Sequence, residues 1–368
     1  MKRLVCLLLV ICLILAGCGK KEAEVLPTEA PTEAPTEAPT EAPTEAPTEA
    51  PTEAPTEALT EPLPMINPLT GEPLDAYYTS RPVAFTINNI SAALPQRGLS
   101  NLDWMFEAET EGGITRCLGI MTDPSKVDSV GPIRSCRTYF LNLSVSYNTP
   151  LFHCGASSYA DNNQYSYEDR LESWDHVDQM TGSGSKYFYR DSRGGGYATE
   201  HTLFSSGDRM VKAMEELGLY PTDGEPVDYG YTFADSVDLN GQSANEVTIR
   251  FANGKRTIME FDTESGLYLA HQYGDDWIDS NTGENAAFRN LLVITTTQTN
   301  PTGYHSFYDL DGTGDGWFAV DGQMVPVQWH HDGVSGPFQF TLEDGTPITL
   351  GVGSTYCAII GSGSVESE

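Results

Sequence analysis

The chain has 368 residues, with 52 acidic against 20 basic side chains and a formal net charge of −32. That balance excludes the basic footprint on which phosphate-backbone binding depends, so nucleic acid is not an expected partner, and anionic lipid surfaces repel the folded part. The first 64 residues hold four basic and eleven acidic side chains, leaving sixteen and forty-one in the remainder, which is long enough for one large core or two smaller ones.

Lys2 and Arg3 precede an apolar run, Leu4 to Leu15, that is too short to span a bilayer. Small residues follow, and then Cys18. A basic start, a short apolar core and small residues before a cut make a secretory signal over residues 1–17. Leu15-Ala16-Gly17-Cys18 is similar to the lipobox of bacterial lipoproteins, which implies diacylation of Cys18 and a place on the outer face of the bacterial cytoplasmic membrane. Two acyl chains suffice for stable anchoring, and no later segment is apolar enough to add a span. From Pro27 to Ala58 the unit Pro-Thr-Glu-Ala recurs about eight times. Proline at every fourth position forbids a continuous helix, so residues 18–64 read as an extended, self-repelling spacer.

The folded part divides by pattern near residue 225. In the first portion, 65–225, strands are predicted over Val83–Asn88 and Thr115–Met121, and Leu102–Glu109 fits strand or helix. Ser135 is a candidate helix N-cap, with Cys136, Phe140, Leu143 and Tyr147 on one helical face and Arg137, Asn142 and Ser146 off it. Leu151–Cys154 reads as a short buried strand. Residues 159–196 are polar, aromatic and rich in glycine, as functional loops often are. A second helix is predicted over His201–Leu217, headed by His201 and stopped at Gly218. In the second portion, 226–364, short alternating runs recur: Glu246–Phe251, Thr257–Phe261, Gly266–His271, Leu291–Gln298, Gly316–Val320, Met324–Trp329, Phe338–Leu342 and Cys357–Ile360. The expected class is α+β: a mixed α/β N-terminal subdomain packed with a β-rich antiparallel C-terminal subdomain.

Three motifs, with the turn Asn67-Pro68-Leu69-Thr70-Gly71 before them, carry a resemblance. Glu111-Gly112-Gly113-Ile114-Thr115-Arg116, then Val130-Gly131-Pro132-Ile133-Arg134-Ser135-Cys136-Arg137, then Phe188-Tyr189-Arg190-Asp191 with Arg193, resemble the YerB-like lipoproteins. So do the later runs GTGDGWFAVDGQMVPVQW and GSTYCAII. Cys136 stands where that pattern has a small residue, and Thr202 follows His201 where it has asparagine. The resemblance spans nearly all of 66–360 and implies a two-part fold behind a lipid anchor, with no activity attached.

No complete catalytic set is present. Arg116, Arg134, Arg137, Arg190 and Arg193 with His153 and His201 are the candidate ligand-binding residues, because guanidinium forks take phosphate or carboxylate bidentately and a histidine can move a proton beside them. The alternative for Arg134 and Arg137 is pairing with protein carboxylates such as Glu107 or Glu111. Between the two, Arg134 is expected to be structural and Arg137 to face a ligand. Asp309 to Gly316 resembles a calcium loop without its closing glutamate, and His330-His331 alternate across a strand, so neither is read as a metal site and no cofactor is expected. Beyond the lipidated Cys18, Cys117, Cys136, Cys154 and Cys357 read as buried thiols, with a Cys136–Cys154 disulfide as the alternative that export allows. Two functions remain: a tethered, non-catalytic binding or assembly lipoprotein for an anionic envelope ligand or protein partner, or an envelope enzyme working on a phosphorylated or glycan substrate through the Arg/His cleft.

Overall fold

Val83–Asn89 (β1), Trp104–Glu109 (β2) and Thr115–Met121 (β3) are near-continuous apolar runs, and each is buried along almost its whole length. Such strands need cover on both sides. β3 is the antiparallel neighbour of both β1 and β2. The computed structural model describes residues 63–156, 174–220, 224–252, 254–300 and 305–368, all within one unit, Glu61–Glu368. Cys18 and the repeat tract lie outside the described residues.

The same period-two logic continues through Leu151–His153 (β4), His176–Asp178 (β5), Glu246–Arg250 (β6), Arg256–Asp262 (β7), Leu267–Gln272 (β8), Asn290–Thr295 (β9), Gly312–Val320 (β10), Gln323–His331 (β11), Gln339–Thr341 (β12), Thr355–Ile360 (β13) and Ser364–Ser367 (β14). An eleven-stranded sheet runs in the order β12-β11-β10-β9-β13-β2-β3-β1-β4-β5, with Gln242–Ser243 added beside β11. A six-stranded sheet is built on β8-β7-β6-β14.

The join is β13. It lies between β9 and β2 and is parallel to both. The second portion of the chain is therefore not purely antiparallel, and the two portions share one continuous sheet. Both faces of that sheet are core. Val83, Phe85 and Ile87 of β1, Met105 of β2 and Tyr356, Ala358 and Ile360 of β13 belong to one buried cluster, while Ala84, Trp104, Phe106, Cys357 and Ile359 belong to the other. The first cluster includes Val247, Ile249 and Met259 of the six-stranded sheet and Met210, Ala213 and Met214 of a helix, Gly207–Glu216. The second includes Tyr139, Phe140 and Leu143 of the helix Thr138–Ser146 (α1). Gly207–Glu216 is α2 hereafter.

The described residues are mostly strand, with these two short α-helices, so the expected α/β character of the first portion resolves into a β-rich fold. α1 begins two residues later than the Ser135 cap would place it, and its N-cap is Arg137. Residues 134–136 are held extended by tertiary partners: Arg134 N donates to Thr86 O and Cys136 N to Gly155 O. Asn142 and Ser146 are buried along with the apolar face, so α1 is a core helix. Likewise α2 starts at Gly207, and His201 closes a separate 3-10 turn, Thr199–His201. The helix is kept from starting earlier by Leu203–Phe204, which pair with Tyr189–Arg190.

Candidate functional site

The motif arginines are positioned by two tight connections. Between β2 and β3 the chain turns through Gly112 and Gly113, both at positive φ (77° and 74°), and a Cβ on Gly112 would meet nothing, so backbone conformation is the reason for glycine there. Gly131 has φ 136°, and a Cβ there would lie 2.9 Å from both Ile133 N and Leu203 O. The first turn sets Glu111 beside Arg137, and the second feeds Arg134 past the edge of β1.

Arg137 and Glu111 form a fork. Nε donates to Oε1 and Nη2 to Oε2, each at 2.7 Å, and Nη1 donates to Cys136 O. Burial works against both charges, yet the bonds and the opposite charge outweigh it: Glu111 titrates below the ordinary glutamate value and Arg137 above the ordinary arginine value. Arg137 is thus the structural one of the pair, the reverse of the expectation. Arg116 is buried as well and donates from Nη1 to Ser135 O at 2.6 Å. Burial, with the Arg137 and Arg134 charges beside it, lowers its pKa to about 9, so it stays cationic at neutral pH.

Arg134 differs. It is half-buried, its Nε is enclosed without a hydrogen-bond partner, and no carboxylate pairs with it among the described residues. Its charge acts on Arg116, Cys154 and His201. Of the other expected groups, His201 feels its charge, while Nε2 of the ring lies 3.8 Å from Glu200 Oε1. Nδ1 accepts from Asn88 Nδ2 at 2.8 Å, which leaves the proton on Nε2. Burial lowers its pKa, and Arg134 and Arg193 add to that lowering against Glu200. Arg190 is exposed, donates to Thr199 O and Thr202 Oγ1, and its charge reaches Cys154.

Arg193 and His153 are occupied elsewhere. Arg193 donates to Ala93 O, Pro95 O and His201 O and stacks on Tyr197, so it ties three loops together. His153 is 2% exposed. Its Nδ1 meets Gly155 O and its Nε2 meets His176 Nδ1, both at 2.8 Å, with both rings stacked against Trp174. Burial takes its pKa down to about 4. Both nitrogens are engaged, so the general acid–base role assigned to it does not fit. Cys154 is no activated nucleophile either, since burial raises its pKa and the thiol points to Gln179 Oε1. Cys117, Cys136, Cys154 and Cys357 are all free, so the Cys136–Cys154 bridge is not formed.

Among the described residues no group of three or more His, Cys, Asp or Glu side chains is set to hold a metal ion. The calcium-like run becomes strand from Gly312, with Asp315 accepting from Gln328. His330 is exposed and His331 is buried against Ser146 Oγ and Leu310 O.

One buried group differs from the sequence reading in its partner, which is Lys255 and not a motif arginine. Glu107, fully enclosed in β2, accepts from Asn89, Thr115 and Lys255 on Oε1 and from Thr257 and Tyr356 on Oε2. Burial opposes its charge, but Lys255 and the hydroxyl donors hold its pKa below the ordinary glutamate value. The trace in the sequence is a carboxylate in the middle of the strand Trp-Met-Phe-Glu-Ala-Glu, with a second, Glu109, at its end. Asn89 and Thr115 come from the neighbouring part of the chain, but Lys255, Thr257 and Tyr356 lie 148 to 249 residues away.

Family models described as the N-terminal and C-terminal domains of a protein of unknown function, DUF3048, match residues 69–220 and 247–357. The YerB protein of Bacillus subtilis, whose name marks it as a candidate lipoprotein, is 28% identical over 300 residues, covering 80% of this chain and 85% of its own. A crystal structure of YerB from the same organism superposes with a TM-score of 0.69 at 26% identity, over 82% of this chain and 99% of that one. The chain belongs to the YerB-like family. The YerB-like motifs then acquire places in the fold: the first is the β2–β3 hairpin with Glu111 and Arg116, the second the crossing that carries Arg134 and Arg137. The third, around Arg190, carries Asp191, which pairs with Arg97 at 2.8 Å and accepts from Arg193 N.

Proposed function

We propose that this protein is a lipid-tethered, extracytoplasmic binding protein whose folded domain takes an anionic ligand at Arg134. The tether reading rests on the basic start, the short apolar core and the Leu-Ala-Gly-Cys run ending at Cys18, together with a relative that carries a lipoprotein name. No helix among the described residues is long and apolar enough to cross a membrane. Cys18→Ala is expected to move the protein from the membrane fraction to the medium or to leave it as precursor. Palmitate label retained in that variant refutes the anchor.

The observation that carries the ligand reading is the unpaired Arg134 guanidinium. Half-buried cations are normally met by a carboxylate or carbonyls. Here Arg116 and His201 stand beside it, and the like charge of Arg116 favours an anion between them. His201 offers Nε2–H as a second donor. The ring nitrogens of His153 committed to protein partners, and the raised pKa of the Cys154 thiol, leave binding better supported than turnover.

Thermal unfolding of the full chain carrying Cys18→Ala, in phosphate, pyrophosphate and methyl phosphate, tests this. Saturating ligand stabilises by linkage, about 2.7 kcal/mol at a hundredfold excess over Kd. At least one of these anions is expected to raise the melting temperature, and Arg134→Ala is expected to abolish the rise. Indifference of the parent chain to all three, or an undiminished rise in Arg134→Ala, refutes it.

A further inference from the structure

The basic side chains are sorted unevenly. The described residues include fifteen Lys and Arg, and nine of these pair with an Asp or Glu. In a chain with 52 acidic groups, a cation left without one is the exception. Arg116, Arg134, Arg190, Arg193, Arg209 and Arg256 are left. The first four are the motif arginines around Cys154 and His201.

The backbone explains why Arg134 and Arg190 come together. Leu203 pairs with Arg190 on one side, and on the other its carbonyl accepts from Ile133 N at 2.7 Å. Arg134 follows Ile133, and its own carbonyl accepts from Cys154 N at 3.1 Å. Arg190, Leu203 and the 133–134 segment are thus three neighbouring extended chains. Two chain spacings, about 10 Å, separate the backbones of the two arginines. Side chains of arginine length converge across such a gap. Both charges reach the Cys154 thiol, Arg190 more strongly than Arg134.

Each guanidinium keeps nitrogens free. Arg190 is exposed and commits only Nη1, to Thr199 O and Thr202 Oγ1. On Arg134, Nε alone is enclosed without a partner, so the two terminal nitrogens stay open. One phosphoryl group takes one guanidinium fork. Two forks on separate chains are met by two phosphoryl groups joined through a bridging oxygen. A diphosphate also brings more negative charge than a monoester to a place where four cations stand without carboxylates.

We propose that the anion at Arg134 is a diphosphate, with one phosphoryl group held by Arg134 beside Arg116 and His201 and the other by Arg190. This rests on the Arg134 reading and adds to it a second anchor and a ligand class. Free pyrophosphate and diphosphates esterified to a lipid or a nucleoside share the chemistry.

Calorimetric titration of the full chain carrying Cys18→Ala, with chelator present to remove divalent cations, compares pyrophosphate with phosphate. Pyrophosphate is expected to bind at least tenfold more tightly. Arg190→Gln, at an exposed side chain, is expected to cut that advantage at least fivefold, with the phosphate Kd changed less than twofold and the melting temperature held. Arg190→Lys keeps the charge but not the fork and is expected to restore part of the advantage. Geranyl diphosphate and uridine diphosphate separate the sources. Whichever matches pyrophosphate or exceeds it names a lipid or a nucleotide, and pyrophosphate ahead of both names the free anion. Phosphate bound through Arg134 with pyrophosphate no tighter, an advantage that survives Arg190→Gln, or an equal loss for both anions in that variant overturns the diphosphate and leaves the Arg134 site standing. Absence of binding by either anion, or binding that survives Arg134→Ala, overturns both.

Discussion

Lys255→Met is expected to lower the melting temperature of the folded domain by roughly 10 °C, the equivalent of about 3–5 kcal/mol for breaking a buried ion pair from one side. Glu107 is 0% and Lys255 3% exposed at the side chain, so no water replaces the lost ammonium. Asn89, Thr115, Thr257 and Tyr356 still donate, but four neutral donors do not cancel a buried charge. The pH dependence identifies the cause. In the parent protein the folded-state pKa of Glu107 lies below its unfolded value, so its contribution is present above the ordinary glutamate value, 4.5, and is lost as pH falls through the folded pKa. In the variant burial outweighs the remaining neutral donors and raises that pKa. The carboxyl is then tolerated in acid and penalised as pH rises through the raised value. The gap between the two melting curves should accordingly be widest at neutral pH and narrow toward pH 4. A gap that does not change with pH would show that lost packing of the lysine stem, rather than the bare carboxylate, causes the destabilisation.

The strands were legible because their burial is local information. Val83–Asn89 and Thr115–Met121 have apolar residues on both faces, and each strand of the second portion is an alternating run between turn residues. The place of β13 was not legible, since Tyr-Cys-Ala-Ile-Ile reads alike as an antiparallel edge or as a parallel strand between β9 and β2. Only the long-range pairing makes the two portions one sheet. Helix starts failed for a related reason. Ser135 is a good cap by type, but the backbone on either side of it had already been taken by Thr86 and Gly155.

The same effect reversed the two arginines of the VGPIRSCR motif. Counting helical faces from Ser135 put Arg137 on the solvent side. In the structure Arg137 precedes the first helical turn, and the positive-φ glycines of the β2–β3 hairpin swing Glu111 over to it. Arg134, in extended chain, keeps its guanidinium for the space near His201. Glu107 reads from the sequence as a partner for Arg134 or Arg137, but the cation that neutralises it is Lys255, 148 positions away. Residues that meet across turns are what the sequence hides, and in this protein both polar centres are of that kind.

The contrast between Arg134 and Arg137 is the sharpest consequence of that reversal. Arg137→Ala removes both bonds of the fork and leaves Glu111, whose side chain is 6% exposed, without its counter-charge. A loss of about 3 kcal/mol follows, at the lower end for buried pairs because Arg137 itself is 12% exposed. The N-cap position contributes little to this, since Arg137 makes no side-chain cap to α1. Arg137→Lys keeps the charge but not the fork and should fall between. Glu111 has a lowered pKa in the parent, so the benefit of the pair is present above the ordinary glutamate value and disappears as pH falls through the folded one. Arg137→Ala and the parent should therefore converge in acid. Arg134→Ala should behave oppositely, with a melting temperature equal to or above that of the parent, because it deletes a cation held near Arg116 whose Nε has no hydrogen-bond partner among the described residues. Chemical denaturation of the three proteins at pH 7 and pH 4 decides between these outcomes. If Arg134→Ala loses as much stability as Arg137→Ala, the guanidinium is satisfied by the protein in solution and is not waiting for an anion. If Arg137→Ala loses nothing, the fork is too wet to matter, and Glu111 joins the groups available to a ligand.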